Sequence, residues 1–354
     1  MPRPSRGSCL KDPESSVKPF DPDARGSSNQ EDVYGMNRFG RGVRDILYRK
    51  RFEWGFQSSK FLQVNIETTT VCTRTCHFCL YGLDEKVPAT RMDSELFFSI
   101  IDELSALRYA GRLSLFNINE PLTDRRIFDF LHYARTRLPK AYHALVSNGD
   151  LLNLDAARRL FESGLDQLML NSYDEPAKVR NLALIESLGD LGHRVEHMDR
   201  TTYTEWHSRA GNVAHLFKGG YPGFCELPNY VLYIKPNGDV LSCCNDFFSK
   251  NVLGNVARQG VEGVWRGETF RAFRAQLNRG DRTCSSLCSQ CDYVPNIPYF
   301  AFNAEVARGL HRIPRDGSFR EGPEAMARAH AIREQLCRKK VRKPQDSAVS
   351  PTSQ

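Results

Sequence analysis

The residues best able to do chemistry in this chain are thiols, and they are grouped. Cys72-Thr-Arg-Thr-Cys76-His-Phe-Cys79 spaces three of them as C-x3-C-x2-C. Three thiolates on one loop can ligate three irons of a cubane [4Fe–4S] cluster, which leaves the fourth iron without a protein ligand. An open metal position is what substrate chemistry needs, as at a catalytic zinc. Six more cysteines follow far downstream: Cys225, Cys243, Cys244, Cys284, Cys288 and Cys291, the last three repeating the first spacing. Eleven cysteines in 354 residues are too sparse for the disulfide framework of a small secreted domain. Grouped thiols with no export signal read instead as metal or redox ligands in a reducing compartment. Cys9 and Cys337 fall in the tails, outside both groups. For the second group a zinc ribbon stays open, because four cysteines in a small β module describe that too.

Such ligands need a frame. Residues 61–68 carry Leu62, Val64 and Ile66 at period two, a strand pattern. Asp93 is a helix cap ahead of 94–107. Further strands are expected at 113–118, 143–147, 167–170 and 194–198, and helices at 124–138, 154–163 and 176–188. This β-α-β-α repetition predicts an α/β fold with a parallel sheet and outer helices. Five strands are fewer than an eightfold barrel needs, so residues 61–218 are expected to form a partial (β/α) barrel. The first cysteine loop follows the first strand, at the end where barrels place their chemistry. The pattern changes near Gly219. Segments 230–235 and 240–243 flank Pro236-Asn237-Gly238-Asp239, a strong hairpin signal, and a short helix is expected at 261–278. Residues 219–300 thus predict a small hairpin-plus-helix module that holds the second cysteine group.

The ends differ in composition. Residues 1–33 are Pro-, Ser- and Gly-rich and 338–354 are basic, then polar, so both are expected to be disordered tails. Residues 34–60 read as a helical lead-in with Val43, Ile46, Leu47 and Phe52 as its apolar stripe, and 301–337 as a C-terminal helical region. No apolar run approaches the roughly 18 residues that span a bilayer, and the first 29 residues hold no signal-peptide core. A cytoplasmic protein without a membrane partner is expected. The net charge is +7, but from His311 to Gln354 ten Lys/Arg stand against five Asp/Glu. The near-neutral body is a weak footprint for nucleic acid, and no such partner is expected.

The cysteine loop, Phe78 just before its third cysteine, and the β/α repeat behind it resemble the radical SAM enzymes over about residues 61–291. The resemblance implies that S-adenosylmethionine chelates the open iron and is cleaved on reduction to a 5′-deoxyadenosyl radical. It also implies cofactor contacts. Asn117-Ile118-Asn119-Glu120-Pro121 resembles the family's Gly-Glu-Pro motif with Asn for Gly, and Glu120 would accept from the methionine ammonium. Ser147-Asn148-Gly149 resembles the ribose-contacting turn, or is an ordinary strand-end turn. Asn171, Ser172 and Tyr173 would face the same pocket; His197 and Asp199 read equally as core or pocket wall. The second group, with Gly238 in its hairpin and Leu253-Gly254-Asn255-Val256 behind, resembles the family's SPASM/twitch extension. Its short cysteine set implies one auxiliary [4Fe–4S] cluster on Cys225, Cys243, Cys288 and Cys291, with Cys244 and Cys284 surplus.

A substrate radical can lose an electron, regain a hydrogen atom or form a new bond. A fully ligated auxiliary cluster suits the first, as a one-electron acceptor that turns a hydroxyl-bearing carbon into a carbonyl. The layout is similar to that of radical SAM dehydrogenases of aminoglycoside pathways, which act on aminocyclitols or sugar alcohols. Ser208-Arg209-Ala210-Gly211-Asn212 resembles a segment of theirs, which puts Arg209 at a substrate hydroxyl or at the SAM carboxylate. The expected function is therefore SAM-dependent dehydrogenation of a sugar or aminocyclitol-like metabolite in natural product biosynthesis, with a flavodoxin- or ferredoxin-type electron donor. Peptide maturation is one alternative. An epimerase that returns hydrogen from Cys244 or Cys284 is another. A zinc or iron–sulfur scaffold docking nucleic acid through the basic segment 327–343 leaves the first cysteine loop unexplained.

Overall fold

The computed structural model describes Lys50, residues 61–294 other than Glu85 and Glu205, Phe319, and residues 321–338. The expected tails, nearly all of the lead-in helix and most of 301–320 lie outside the described residues.

The chain alternates as expected. β1 (Gln63–Ile66), β2 (Arg112–Ser114), β3 (Tyr142–Ser147), β4 (Gln167–Ser172) and β5 (Val195–Asp199) pair in parallel, each beside the one before. α1 (Ser94–Ala106), α2 (Ile127–Arg137), α3 (Leu154–Glu162) and α4 (Glu175–Ser187) connect them. Asp93, Asn153 and Asp174 cap three of these helices by accepting from backbone N–H groups of the first turn. On the far side of β1 lies β6 (Val231–Ile234), parallel to it. Then come β7 (Asp239–Leu241) and β8 (Val252–Asn255), both antiparallel. The result is one open eight-stranded sheet, in the order β5-β4-β3-β2-β1-β6-β7-β8, and not a closed barrel.

Several local expectations are corrected. The second strand stops at Ser114, so residues 115–118 leave the sheet and climb toward Glu120. The helix expected from 124 starts at Ile127, because Pro121–Thr123 forms a separate 3-10 turn capped by the Glu120 side chain. The expected helix 261–278 is broken by the extended Gly267 into α5 (Val256–Arg266), itself kinked at Gly260 with φ 70°, and α6 (Glu268–Asn278). β8 went unforeseen: it is four residues long and contains Gly254 at φ 158°, which blurs its alternation. Gly238, at φ 86°, makes the β6–β7 turn that the hairpin signal announced.

β1 is buried along its whole length, as strands of parallel sheets are. Val64 and Ile66 belong to the apolar core with Phe97, Phe98 and Phe130, the first and last of which stack at 4.0 Å. α7 (Pro323–Arg338) closes this side, burying Ala325, Ala329 and Ile332. Period two then turns Asn65 and Glu67 to the opposite face. The register pairs Asn65 with Tyr233 and Ile66 with Ile234, so Tyr233 and Lys235 share that face. Glu67 and Lys235 form a buried ion pair at 3.1 Å. Among the described residues no helix is long and apolar enough to cross a membrane.

Candidate active site

The loop after β1 is held from three sides. Its base is strapped to the segment before α1 by Thr70 N to Thr90 O and Met92 N to Thr68 O. Cys79 N donates to Cys76 O, and Gly82 passes so close that a Cβ there would lie 2.4 Å from Cys76 O. Arg74, between the first two cysteines, donates from Nε and Nη2 to both oxygens of Asp150 at 2.7 and 2.6 Å. Its Nη1 reaches Asp174 at 2.6 Å. One bidentate arginine thus ties the cysteine loop to the turns that follow β3 and β4. Asn148 Nδ2 adds bonds to Thr73 Oγ1 (2.9 Å) and Cys72 Sγ (3.9 Å).

Above these strand ends opens a cavity of about 430 Å3, within the usual size range of small-molecule sites. Cys72, Cys76 and Cys79 rim it together with Phe78, whose ring stacks on Trp206 at 3.5 Å. Glu120 lines it too. Its carboxylate accepts from Leu122 N (3.1 Å), Ser147 Oγ (3.0 Å) and Asn148 N (2.8 Å). Burial outweighs these donors and pushes its pKa up to about 7. Beside it Asn117 Oδ1 and Asn119 Nδ2 are buried in the cavity wall with no hydrogen-bond partner among the described residues. Two orphaned amide atoms and a carboxylate fit a ligand bearing both donors and acceptors, such as an amino acid head.

The far wall comes from the second half of the chain. Arg209, Ala210 and Gly211 have φ of 53°, 57° and 79°, three successive left-handed residues. Two of them carry side chains, a conformation that costs roughly 1–3 kcal/mol each and persists only where neighbours impose it. Here Ser208 N donates to Asp292, Gly211 N to Ser208 Oγ, and Asn212 Nδ2 to Asn245 O. The twist turns Arg209 into the cavity wall. Cys244 and Tyr233 line the same wall and are hydrogen-bonded to each other. Burial holds the Cys244 thiol above its ordinary value, against the opposing effects of Arg209 and Tyr233.

Behind this wall is a second, small apolar cavity rimmed by Cys225, Cys243, Cys288 and Cys291. Cys288 sits on a single helical turn, Ser286–Ser289, capped by Ser285 Oγ. Tyr293 N points at Cys291 Sγ, 3.5 Å away. All four thiols are pushed up in pKa, Cys291 to about 11; burial leads for Cys225, Cys243 and Cys291, a hydrogen bond with Cys284 for Cys288. Among the described residues no three His, Cys, Asp or Glu converge on one point as the ligands of a single ion do. Each thiol set rims a cavity.

The expected site residues divide. Phe78, Glu120, Ser147, Asn148, Tyr173, Arg209 and Cys244 line the main cavity with the first three cysteines. Asn171 does not; it is buried on β4, its carbonyl accepting from Asn181. Cys284 lines neither cavity and bonds to Cys288. His197 bonds to Ser172, and Asp199 to Lys178 at 2.7 Å, both away from the cavity. Sequence reasoning missed Asn65, Arg74, His207, Asn245 and Tyr293. Arg74, Asn245 and Tyr293 stood within two residues of cysteines, a usable signal; Asn65 and His207 had none.

A family model described as the SPASM iron–sulfur cluster-binding domain matches residues 225–292, a span that starts at Cys225 and takes in the whole second cysteine set. The chain is 27% identical over 238 residues to the S-adenosyl-L-methionine-dependent 2-deoxy-scyllo-inosamine dehydrogenase of Niallia circulans, covering 66% of this chain and 94% of that protein. It also resembles the crystal structure of BtrN in complex with AdoMet and 2-DOIA, at 26% identity and a TM-score of 0.61, over 67% of this chain and 95% of that one. The same protein in an open conformation matches at 26% identity with a TM-score of 0.53, over 66% and 93%.

Proposed function

We propose, from a SPASM-type iron–sulfur domain built onto a radical SAM sheet, that this chain is a radical SAM dehydrogenase that oxidises a hydroxyl-bearing carbon of an aminocyclitol or related sugar alcohol. The observation that carries this reading is a shared wall. Leu227, Asn245 and Tyr293 line both the main cavity, rimmed by the first cysteine set, and the small one behind it, rimmed by the second, so one layer of side chains parts the two cavities. When bound, S-adenosylmethionine and the [4Fe–4S] cluster on Cys72, Cys76 and Cys79 supply the hydrogen-abstracting 5′-deoxyadenosyl radical, and a second cluster on Cys225, Cys243, Cys288 and Cys291 supplies a one-electron acceptor.

The chain's own residues do the rest. Glu120 accepts from the methionine ammonium, and the orphaned amides of Asn117 and Asn119 complete that end. Phe78, braced by Trp206, offers a flat apolar face. Arg209 places a positive charge where a substrate hydroxyl loses its proton and favours the anionic oxygen. Loss of one hydrogen atom, one proton and one electron from a secondary alcohol balances as a ketone. A flavodoxin- or ferredoxin-type donor in the cytoplasm completes the scheme. Reconstituted enzyme offered a panel of aminocyclitols and sugar alcohols should form 5′-deoxyadenosine and a carbonyl product one for one. Deoxyadenosine without carbonyl from every member of the panel would sink the reading.

Glu120 gives a pH prediction. Its carboxylate is ionised only as pH rises through about 7, and only the ionised form attracts an ammonium. SAM affinity of the reconstituted protein, followed by calorimetry from pH 6 to 8, should strengthen with pH. Glu120→Gln should bind at least about tenfold more weakly at pH 8, the size of a lost charge-assisted bond, and lose the part of the slope that Glu120 supplies.

One observation favours a second reading. Cys244 presents a protonated thiol to the cavity, as an epimerase's hydrogen donor must, whereas Cys284 does not. The same assay run in D2O separates them: an epimerised product carries one solvent deuteron at the inverted carbon.

A further inference from the structure

Arg282 is 5% exposed. Buried arginines ordinarily face a carboxylate; this one has no carboxylate partner among the described residues. It donates to main-chain carbonyls throughout: Nε to Gly223 O at 2.6 Å, Nη2 to Phe224 O at 3.0 Å and to Tyr293 O at 3.1 Å, and Nη1 to Cys291 O at 3.4 Å. The groups that face its charge are Cys225, Cys288 and Cys291, and it also hydrogen-bonds the Cys291 side chain. It lines the small cavity with those thiols. The carbonyl fork fixes the guanidinium in place and leaves its charge directed at whatever the thiols hold.

We propose that Arg282 is the counter-charge of the auxiliary cluster, a positioning residue that raises the cluster's reduction potential and so makes it an electron acceptor. The inference rests on the reading of Cys225, Cys243, Cys288 and Cys291 as ligands of a [4Fe–4S] cluster. A four-thiolate cubane gains one negative charge when it accepts an electron. A fixed cation in a poorly polarisable interior favours the more negative state, and N–H donors to sulfur act in the same sense.

The test uses the full chain carrying Cys72→Ala, Cys76→Ala and Cys79→Ala, so that only the auxiliary cluster is present. Iron is counted and the potential titrated spectroscopically for this parent, for Arg282→Lys and for Arg282→Gln. Lys keeps the charge and loses the fork; Gln keeps a donor and loses the charge. The expected result is a reduction equilibrium at least tenfold less favourable in Arg282→Gln, about 59 mV for one electron, with Arg282→Lys within threefold of the parent. Retention of iron by Lys but not by Gln supports the same conclusion. A Gln variant at the parent's potential overturns it, as does equal loss of iron from both variants, which leaves the fork a mere brace for carbonyls. A parent with well under four irons overturns the ligand assignment itself, and the inference with it.

Discussion

Anaerobically reconstituted protein should hold about eight irons, and a variant with Cys72, Cys76 and Cys79 all replaced by alanine about four, with no measurable cleavage of S-adenosylmethionine. The expectation follows from how separately the two thiol sets are housed. The first stands on a loop beyond β1, half exposed, clamped by Arg74 to Asp150 and Asp174. The second is deeper: Cys225, Cys288 and Cys291 are each under 10% exposed and pack among apolar side chains. Replacing three partly exposed thiols removes no core packing around the second set. Iron and sulfide assays on both proteins decide the matter. Four irons falling to none would mean that the second set binds zinc or nothing. The electron-acceptor argument would then fail, and redox-neutral epimerisation with Cys244 as donor would lead.

The second large effect is on stability. Lys235→Met should cost about 3–5 kcal/mol, the usual loss when one partner of a buried ion pair is removed and the other is left behind. Glu67 has no exposed surface and Lys235 very little, and β1–β6 register holds them 3.1 Å apart. Burial holds the Glu67 carboxyl above its ordinary range, even with Lys235 opposing it. The folded state therefore binds more proton than the unfolded one, and this group's contribution to stability is lost as pH rises out of the ordinary carboxylate range. Without Lys235 the loss should be steeper and run to higher pH. Denaturant unfolding of the metal-free protein from pH 5 to 8 measures both, and Glu67→Gln combined with Lys235→Met should recover much of the difference. Equal stability of Lys235→Met and the parent would mean that Glu67 is already protonated in the parent.

Much of the site was legible because its signals are local. The C-x3-C-x2-C loop, Phe78, Glu120 at the end of the climb from β2, and the Ser147-Asn148 turn each depend on a few neighbouring residues, and each lines the cavity. Asn171 shows the limit of such reasoning. It lies one residue before the end of β4, whereas Ser147 ends β3; its main chain serves Asn181, and it lines no part of the cavity. Arg74 and Arg282 each stand two residues from a cysteine, but that proximity does not say what their forks will hold. Arg74 reaches Asp150, 76 residues away, and Arg282 reaches Phe224, 58 residues away, as well as nearby Cys291 and Tyr293; an arginine among 49 basic residues says nothing of where its fork will point.

The sequence by itself determined the β/α alternation, the hairpin at Gly238 and the division of the thiols into two sets, because thiol spacing, period-two burial and turn chemistry act over a few residues. Tertiary structure alone decided that β6 pairs with β1, and so that the second module continues the first sheet instead of standing apart from it. That one pairing sets Tyr233 beside Asn65 and Lys235 beside Glu67, and the cavities that the two thiol sets rim share a wall of Leu227, Asn245 and Tyr293. Strand pairing between segments more than 160 residues apart is chosen by the burial of whole faces, a sum over the fold that no short stretch of sequence carries.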